Sequence, residues 1–268
     1  MVTRLAYFVI GLMLATTPVY AADGVIEINQ ASVEAADGFP FVINEGGSYV
    51  LTSNLQVDTA DTDGISIQGN LIDLDLNGFI IRGSGSGGSG VTAFFAQLDS
   101  YNAENTVRNG SIEGFEKGVD IGTGLVENIR ARSNSGVGIF AVEAKVANCK
   151  ANNNGSGIVG ASVVDSEARD NAQFGIKASR LAARNYAEGN GGAEIILESD
   201  AAGLVIENVA IAGGGIVAIE MIGRSQGIGY ANNTIRGLIE GGQAIGCNLH
   251  DNFVACPEGA VAALKPSK

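Results

Sequence analysis

The chain has 268 residues, a formal net charge of −13, 39 glycines, four prolines and no tryptophan. So acidic a protein is repelled by phosphate backbones and anionic bilayers, which argues against nucleic acid and acidic membranes as partners. The glycine excess lacks a collagen period and implies many turns. The length allows one large domain or two small ones.

Residues 1–21 read as a cleaved signal peptide. Arg4 supplies the positive start, and "LAYFVIGLMLA" is an apolar run too short to span a bilayer. "VYA" at 19–21 places small residues for cleavage before Ala22. There is no cysteine there to carry a lipid, and no later apolar run is long enough for a membrane helix. The expected product is secreted or periplasmic, with no membrane anchor after cleavage; its oligomeric state is left open. Residues 22–45 are expected to form an N-terminal cap. In it, "NQASVEAAD" makes a short helix, and Phe39 and Phe41 cover the first coil of the domain.

Next comes "LIDLDLNG", in which Ile72, Leu74 and Leu76 share one strand face and Asp73 and Asp75 the other. Asp61 and Asp63 lie shortly before. These four carboxylates could hold a hard cation such as Ca²⁺ through oxygen ligands, or supply the acid and base of a glycosidase. Their spacing matches no fixed ligand pattern, so a solvated strand face is the plainer reading. "GSGSGGSG" at 83–90 contains Gly-x-Gly-x-x-Gly but opens no helix. It reads as a flexible loop and not a dinucleotide site.

Beyond it the chain repeats. Val126, Ile129, Ala131 and Asn134 recur as Val146, Cys149, Ala151 and Asn154. They recur again as Val163, Ser166, Ala168 and Asn171, then as Ala182, Asn185, Ala187 and Asn190. A weaker earlier copy runs through Val107, Gly110, Ile112 and Phe115, and a later one through Ile206, Val209 and Ile211. A second column, Val119, Ile139, Ile158, Ile176 and Ile195, recurs at the same period, and its first four members follow glycines. Two short alternating strands per period, with glycine and asparagine at the corners, describe a solenoid coil. Helical periodicity and leucine-rich spacing are both absent. The expected fold is all-β: a right-handed parallel β-helix over 46–245, with the short capping helix before it. Roughly ten coils would give a core on the order of 45–50 Å long at the strand spacing of about 4.8 Å.

The corner asparagines Asn134, Asn154, Asn171 and Asn190 are expected to tolerate left-handed backbone and to stack as an internal amide ladder. Cys149 takes the place of Ile129 and becomes a small buried hydrophobe. Residues 246–268 form the expected C-terminal cap, where a bridge between Cys247 and Cys256 would suit an exported protein. His250 is the one histidine and has no nucleophile elbow to serve. Zinc would need more ligands than the chain supplies, so no metal site is assigned.

Gly47, Ser48, Tyr49, Leu51, Thr52, Asn54 and Leu55, followed by Leu74 through Phe79, resemble the opening of bacterial secreted right-handed parallel β-helix repeat proteins. These belong to the pectate-lyase-like superfold. The specific match covers roughly residues 28–82, and the rest resembles the family through its repeat. The resemblance implies the fold, and it implies polysaccharide as the ligand class, because many members act on polysaccharides and many others have no assigned activity. The Asn-Thr-Asp, Asp-Asp, Gly-His-Gly and Arg-Ile-Lys signatures of the galacturonan hydrolases are absent. So are the epimerase Asp-Pro-His-Glu and the tryptophan motif of the main pectate lyases.

The outward positions of the repeat put Arg130, Arg132, Lys150, Arg169 and Tyr186 together as candidate substrate-binding residues. Arginine would bind uronate carboxylates, tyrosine would stack on a ring, and an Arg or Lys could act as the base of a lyase. Charge balance by Asp165, Glu167 and Glu188 is the competing account. The expected function is an exported protein that binds or processes acidic extracellular polysaccharide, as a lyase or a hydrolase if it is an enzyme. The alternative is a non-catalytic surface or matrix protein using the helix as a rigid rod.

Overall fold

The computed structural model describes residues 24–85, 87–93, 104–213, 216–222, 228–241, 243–244, 248–250 and 253–255. The expected signal segment, Cys247, Cys256 and most of the expected C-terminal cap lie outside the described residues. Among the described residues no helix is long and apolar enough to cross a membrane.

The alternating apolar residues form strands that stack parallel into a β-solenoid of about nine turns, slightly fewer than ten. Three stacks make up its walls. Sheet 1 begins with Val25–Ile28, Gly47–Leu51 and Ile72–Asp75, and its inner column runs on through Val107, Val126, Val146, Val163 and Ala182. Sheet 2 begins with Leu55–Gln56 and Ile80–Arg82 and carries Ala131, Ala151, Ala168 and Ala187 inward. Sheet 3 begins with Phe41–Ile43 and Ile65–Ile67 and carries Val91, Val119, Ile139, Ile158, Ile176 and Ile195. All of these repeat positions are buried in one core. The expected stacking of the first repeat on its copies therefore holds, rung for rung.

The glycines ahead of the sheet 3 column are required by space. A Cβ on Gly118 would lie 2.4 Å from the carbonyl oxygen of Gly138, and one on Gly157 would lie 2.1 Å from that of Gly175. Successive coils come too close there for any side chain.

Two corners turn by a shared device. Between sheets 1 and 2 the left-handed residues include Asn77, Asn109, Asn128, Asn148, Asp165, Arg184, Glu207 and Asn232; between sheets 2 and 3 they include Ser133, Asn153 and Asp170. The ladder asparagines themselves do not have positive φ. The left-handed residue precedes each one and swings it inward, which corrects the expectation that one residue does both jobs. The inner ladder then forms as expected: Asn134 Nδ2 donates to Asn154 Oδ1 at 3.0 Å, Asn154 to Asn171 at 3.1 Å, and Asn171 to Asn190 at 2.8 Å. Phe115 closes one end, its backbone N–H donating to Asn134 Oδ1 at 3.1 Å. Glu194 closes the other, where its fully buried carboxylate accepts from the Asn190 backbone N–H and side-chain amide.

A second ladder was not read from the sequence. The column that starts with Ile129 and Cys149 turns polar at Ser166 and continues through Asn185, Asn208, Asn233 and Asn248. Its register also corrects the late repeat. Ala182 pairs with Val205 and Ala187 with Ala210, so Val205, Asn208 and Ala210 point inward where Ile206, Val209 and Ile211 were expected. A slip of one residue exchanges the faces of a strand.

The helix Gln30–Ala35 caps the first coil in the place of a sheet 2 strand. It is started by an Asn29–Ser32 capping box. The Gln30 side chain accepts from the Gln56 backbone N–H at 2.9 Å, so a side-chain amide covers part of the open edge. At the other end Asn248–His250 pairs antiparallel with Phe253–Ala255. The glycine-rich 83–90 stretch is less free than expected, since Gly83 and Gly85 donate their N–H groups to the carbonyls of Glu113 and Gly114.

Candidate functional site

The outer face of sheet 2 consists of two adjacent columns. One runs Ile80, Ser111, Arg130, Lys150, Glu167, Tyr186, Val209 and Thr234. The other runs Arg82, Glu113, Arg132, Asn152, Arg169, Glu188, Ile211 and Arg236. Register thus brings Arg130, Arg132, Lys150, Arg169 and Tyr186 onto one face. Six cations and three carboxylates leave this face at +3 on a chain whose formal charge is −13.

Most of these cations are engaged. Glu113 is nearly buried and accepts from Arg82 at 2.6 Å and Arg132 at 2.5 Å. Burial alone would raise its pKa, but hydrogen bonds from the two guanidinium groups hold it below the usual glutamate value. Lys150 lies 2.8 Å from Glu167. Arg169 Nε sits 2.9 Å from the other Glu167 oxygen but out of line for a hydrogen bond, so that contact is ionic only. The Arg169 guanidinium lies 4.4 Å from the centre of the Tyr186 ring, whose hydroxyl donates to Glu188 at 2.7 Å. That bond raises the tyrosine pKa, with desolvation adding to it.

Arg130 differs. It is exposed, and among the described residues it has no ion pair and no side-chain hydrogen bond. It borders a groove of about 290 Å³ lined by Gly78, Asn109, Gly110, Asn128, Lys150 and Asn148. The left-handed corner makes this groove, because Asn128 and Asn148 turn the chain there and present their amides outward. Asn128 Nδ2 donates to Asn109 Oδ1 at 3.2 Å, and Asn109 Nδ2 in turn donates to Asp75. The groove therefore presents a free guanidinium, an ammonium and two outward amides. That set can hold an anion and hydrogen-bond the hydroxyls beside it.

The acidic candidates separate into two places. Asp73 and Asp75 share a sheet 1 strand, and Arg108 is bound to both: Nε lies 2.8 Å from Asp73 and Nη1 3.0 Å from Asp75. Asp63 lies in the turn before sheet 3, where it accepts from the Ser89 backbone N–H at 2.6 Å; Asp61 occupies a left-handed turn position nearby. Among the described residues no cluster of His, Cys, Asp or Glu could hold a metal ion. Cys149 is fully buried, and desolvation pushes its thiol up to about 12. Sequence reasoning missed the Arg82–Glu113–Arg132 bridge and the outward amides of Asn128 and Asn148. The recurrence of Asn or Asp one residue before Gly110, Ile129, Cys149 and Ser166 was a signal for the amides.

No family model matches the chain, and no curated protein matches it. Among solved structures it is similar to full-length tailspike protein 2 of the Escherichia coli O157:H7 bacteriophage CAB120. That likeness has 13% identity and a TM-score of 0.34, and covers 78% of this chain and 40% of the tailspike. The chain thus spans less than half the length of that protein.

Proposed function

We propose that this protein is an exported β-solenoid that binds an anionic polysaccharide on the outer face of sheet 2. The observation that carries the reading is the unpaired Arg130 beside the amide-lined groove, on a cationic face of an otherwise acidic chain. Binding is favoured over processing because no carboxylate lines the groove beside Arg130 among the described residues, and the carboxylates nearest the face are held by arginine. Asp73 and Asp75 are tied to Arg108, and Glu113 to Arg82 and Arg132. A glycosidase needs one carboxyl kept protonated and a second kept free. The export part of the reading rests on residues 1–21.

The rod reading has its own support, since Arg132, Lys150 and Arg169 all meet carboxylates of the same face. Calorimetry with polygalacturonate, alginate and neutral dextran separates the two. Binding to the first two should weaken with salt, because exposed charges are screened beyond about 8 Å at physiological ionic strength. Arg130→Gln should weaken it about tenfold, and Lys177→Gln on sheet 3 should leave it unchanged. If the parent binds neither polyanion, the rod becomes the better account.

A further inference from the structure

The sheet 2 face changes sign along the solenoid axis. Its cations Arg82, Arg130, Arg132 and Lys150 fall on three of the four rungs from Ile80 to Lys150, where Glu113 is the only carboxylate of either column. One rung later the pattern reverses. Glu167 shares its rung with Arg169, and Glu188 on the next rung adds a second carboxylate, so these two rungs together carry −1. At the adjoining corner the neutral amides Asn128 and Asn148 give way to the ion-paired Asp165 and Arg184 and then to Glu207. Tyr186 is no open platform either, because Arg169 covers its ring and Glu188 holds its hydroxyl.

We infer that the face is a short subsite: it holds an anionic oligosaccharide segment over the rungs of Ser111, Arg130 and Lys150 and rejects acidic sugars beyond them. This rests on the proposed binding of an anionic glycan and adds its extent. Three rungs span on the order of 10–14 Å, roughly two or three pyranose rings of an extended chain. Within that span Arg130 takes a carboxylate or sulfate, and the amides of Asn128 and Asn148 take ring hydroxyls. Past it, the next acidic sugars meet two rungs on which Glu167 and Glu188 outnumber Arg169, and like charges across an interface oppose binding.

Affinity measured against oligogalacturonates from monomer to octamer, at low salt, tests the extent. Affinity should rise to the trimer or tetramer and then level off. Replacing Glu167 and Glu188 together by glutamine should raise hexamer affinity at least fivefold more than dimer affinity, because the dimer gains only the Lys150 ammonium that Glu167 releases. Arg130→Gln should lower the affinity of every oligomer about tenfold, with circular dichroism confirming an intact fold. A parent affinity that climbs steadily to the octamer would overturn the short footprint while leaving polyanion binding standing. So would a double glutamine variant that binds dimer and hexamer with the parent's ratio. Absence of binding by long polygalacturonate would instead remove the function on which the inference rests. A parallel series of sulfated oligosaccharides tells whether the anion taken is carboxylate or sulfate, with the same plateau expected for the one that binds.

Discussion

Replacing Asn171 by alanine tests what holds the coils in register. Asn171 Oδ1 accepts from the Asn154 backbone N–H at 2.9 Å, and its amide donates to the Ala151 carbonyl at 2.9 Å and to Asn190 Oδ1 at 2.8 Å. Alanine removes the side-chain partner of two buried backbone groups, Asn154 N–H and Ala151 C=O. Each orphaned buried group costs about 1–3 kcal/mol, so the variant should lose about 2–6 kcal/mol. With a urea m-value near 3 kcal/mol/M, the midpoint should fall by roughly 1–2 M. Asn171→Asp sharpens the test. The carboxylate still accepts from Asn154, but its second oxygen then faces the oxygens of Ala151 and Asn190, to which the amide donated. At neutral pH it should be worse than alanine. Acidification should rescue it in part, because a protonated aspartate donates again. Equilibrium urea unfolding followed by far-ultraviolet circular dichroism reads both. An alanine variant within about 0.5 kcal/mol of the parent, the range of ordinary surface changes, would refute the ladder as the source of stability.

Glu194 is buried at the ladder end, and desolvation raises its pKa above the usual glutamate value. The folded state therefore binds its proton more tightly than the unfolded state. The stability contributed is complete below the unfolded glutamate value and is lost as pH rises through the folded value. Unfolding midpoints should fall over that window, and Glu194→Gln should flatten the fall; equal slopes would count against it. Val205→Asp should prevent stable folding while Ile206→Asp is mild, because only the first side chain points into the core; thermal melts of the two decide the register. Cys149 should stay unmodified by thiol reagents until denaturant is added, and rapid labelling of Cys149 in the folded protein would contradict its burial.

How far the fold was legible depends on what each position must satisfy. Val126, Val146 and Val163, and Ile139, Ile158 and Ile176, face the same core in successive coils, so the same residue type returns and the period shows. The inner ladder was legible because an amide bonds best to another amide. The second ladder hid itself by starting as Ile129 and Cys149, two apolar groups that need no partner, before turning polar at Ser166. The late register was misread because Leu204, Val205 and Ile206 are all apolar, and alternation gives no phase in such a run. The site was legible only in part. Register alone predicts that Arg130 stacks on Lys150, and the structure agrees. Which cations are already engaged depends on side-chain geometry that no periodicity encodes, such as Arg82 and Arg132 converging on Glu113 from opposite rungs.

That division of labour also bears on where function can lie. Inward positions are bound by the core and the two ladders, and the left-handed corners admit few residues without strain. The outward positions of a rung answer mainly to their neighbours one coil away. A chain so constrained can change its ligand by altering outward pairs without disturbing the coil, provided each new charge meets a partner or a ligand. On sheet 2, Glu167 pairs with Lys150 and Arg169, and Glu113 with Arg82 and Arg132. Those pairs leave Arg130 outside the lattice of charges, as they do Arg236 on a far rung. A cation that the scaffold does not use, placed where a corner opens a groove, is the position at which this face has most to gain from an external anion.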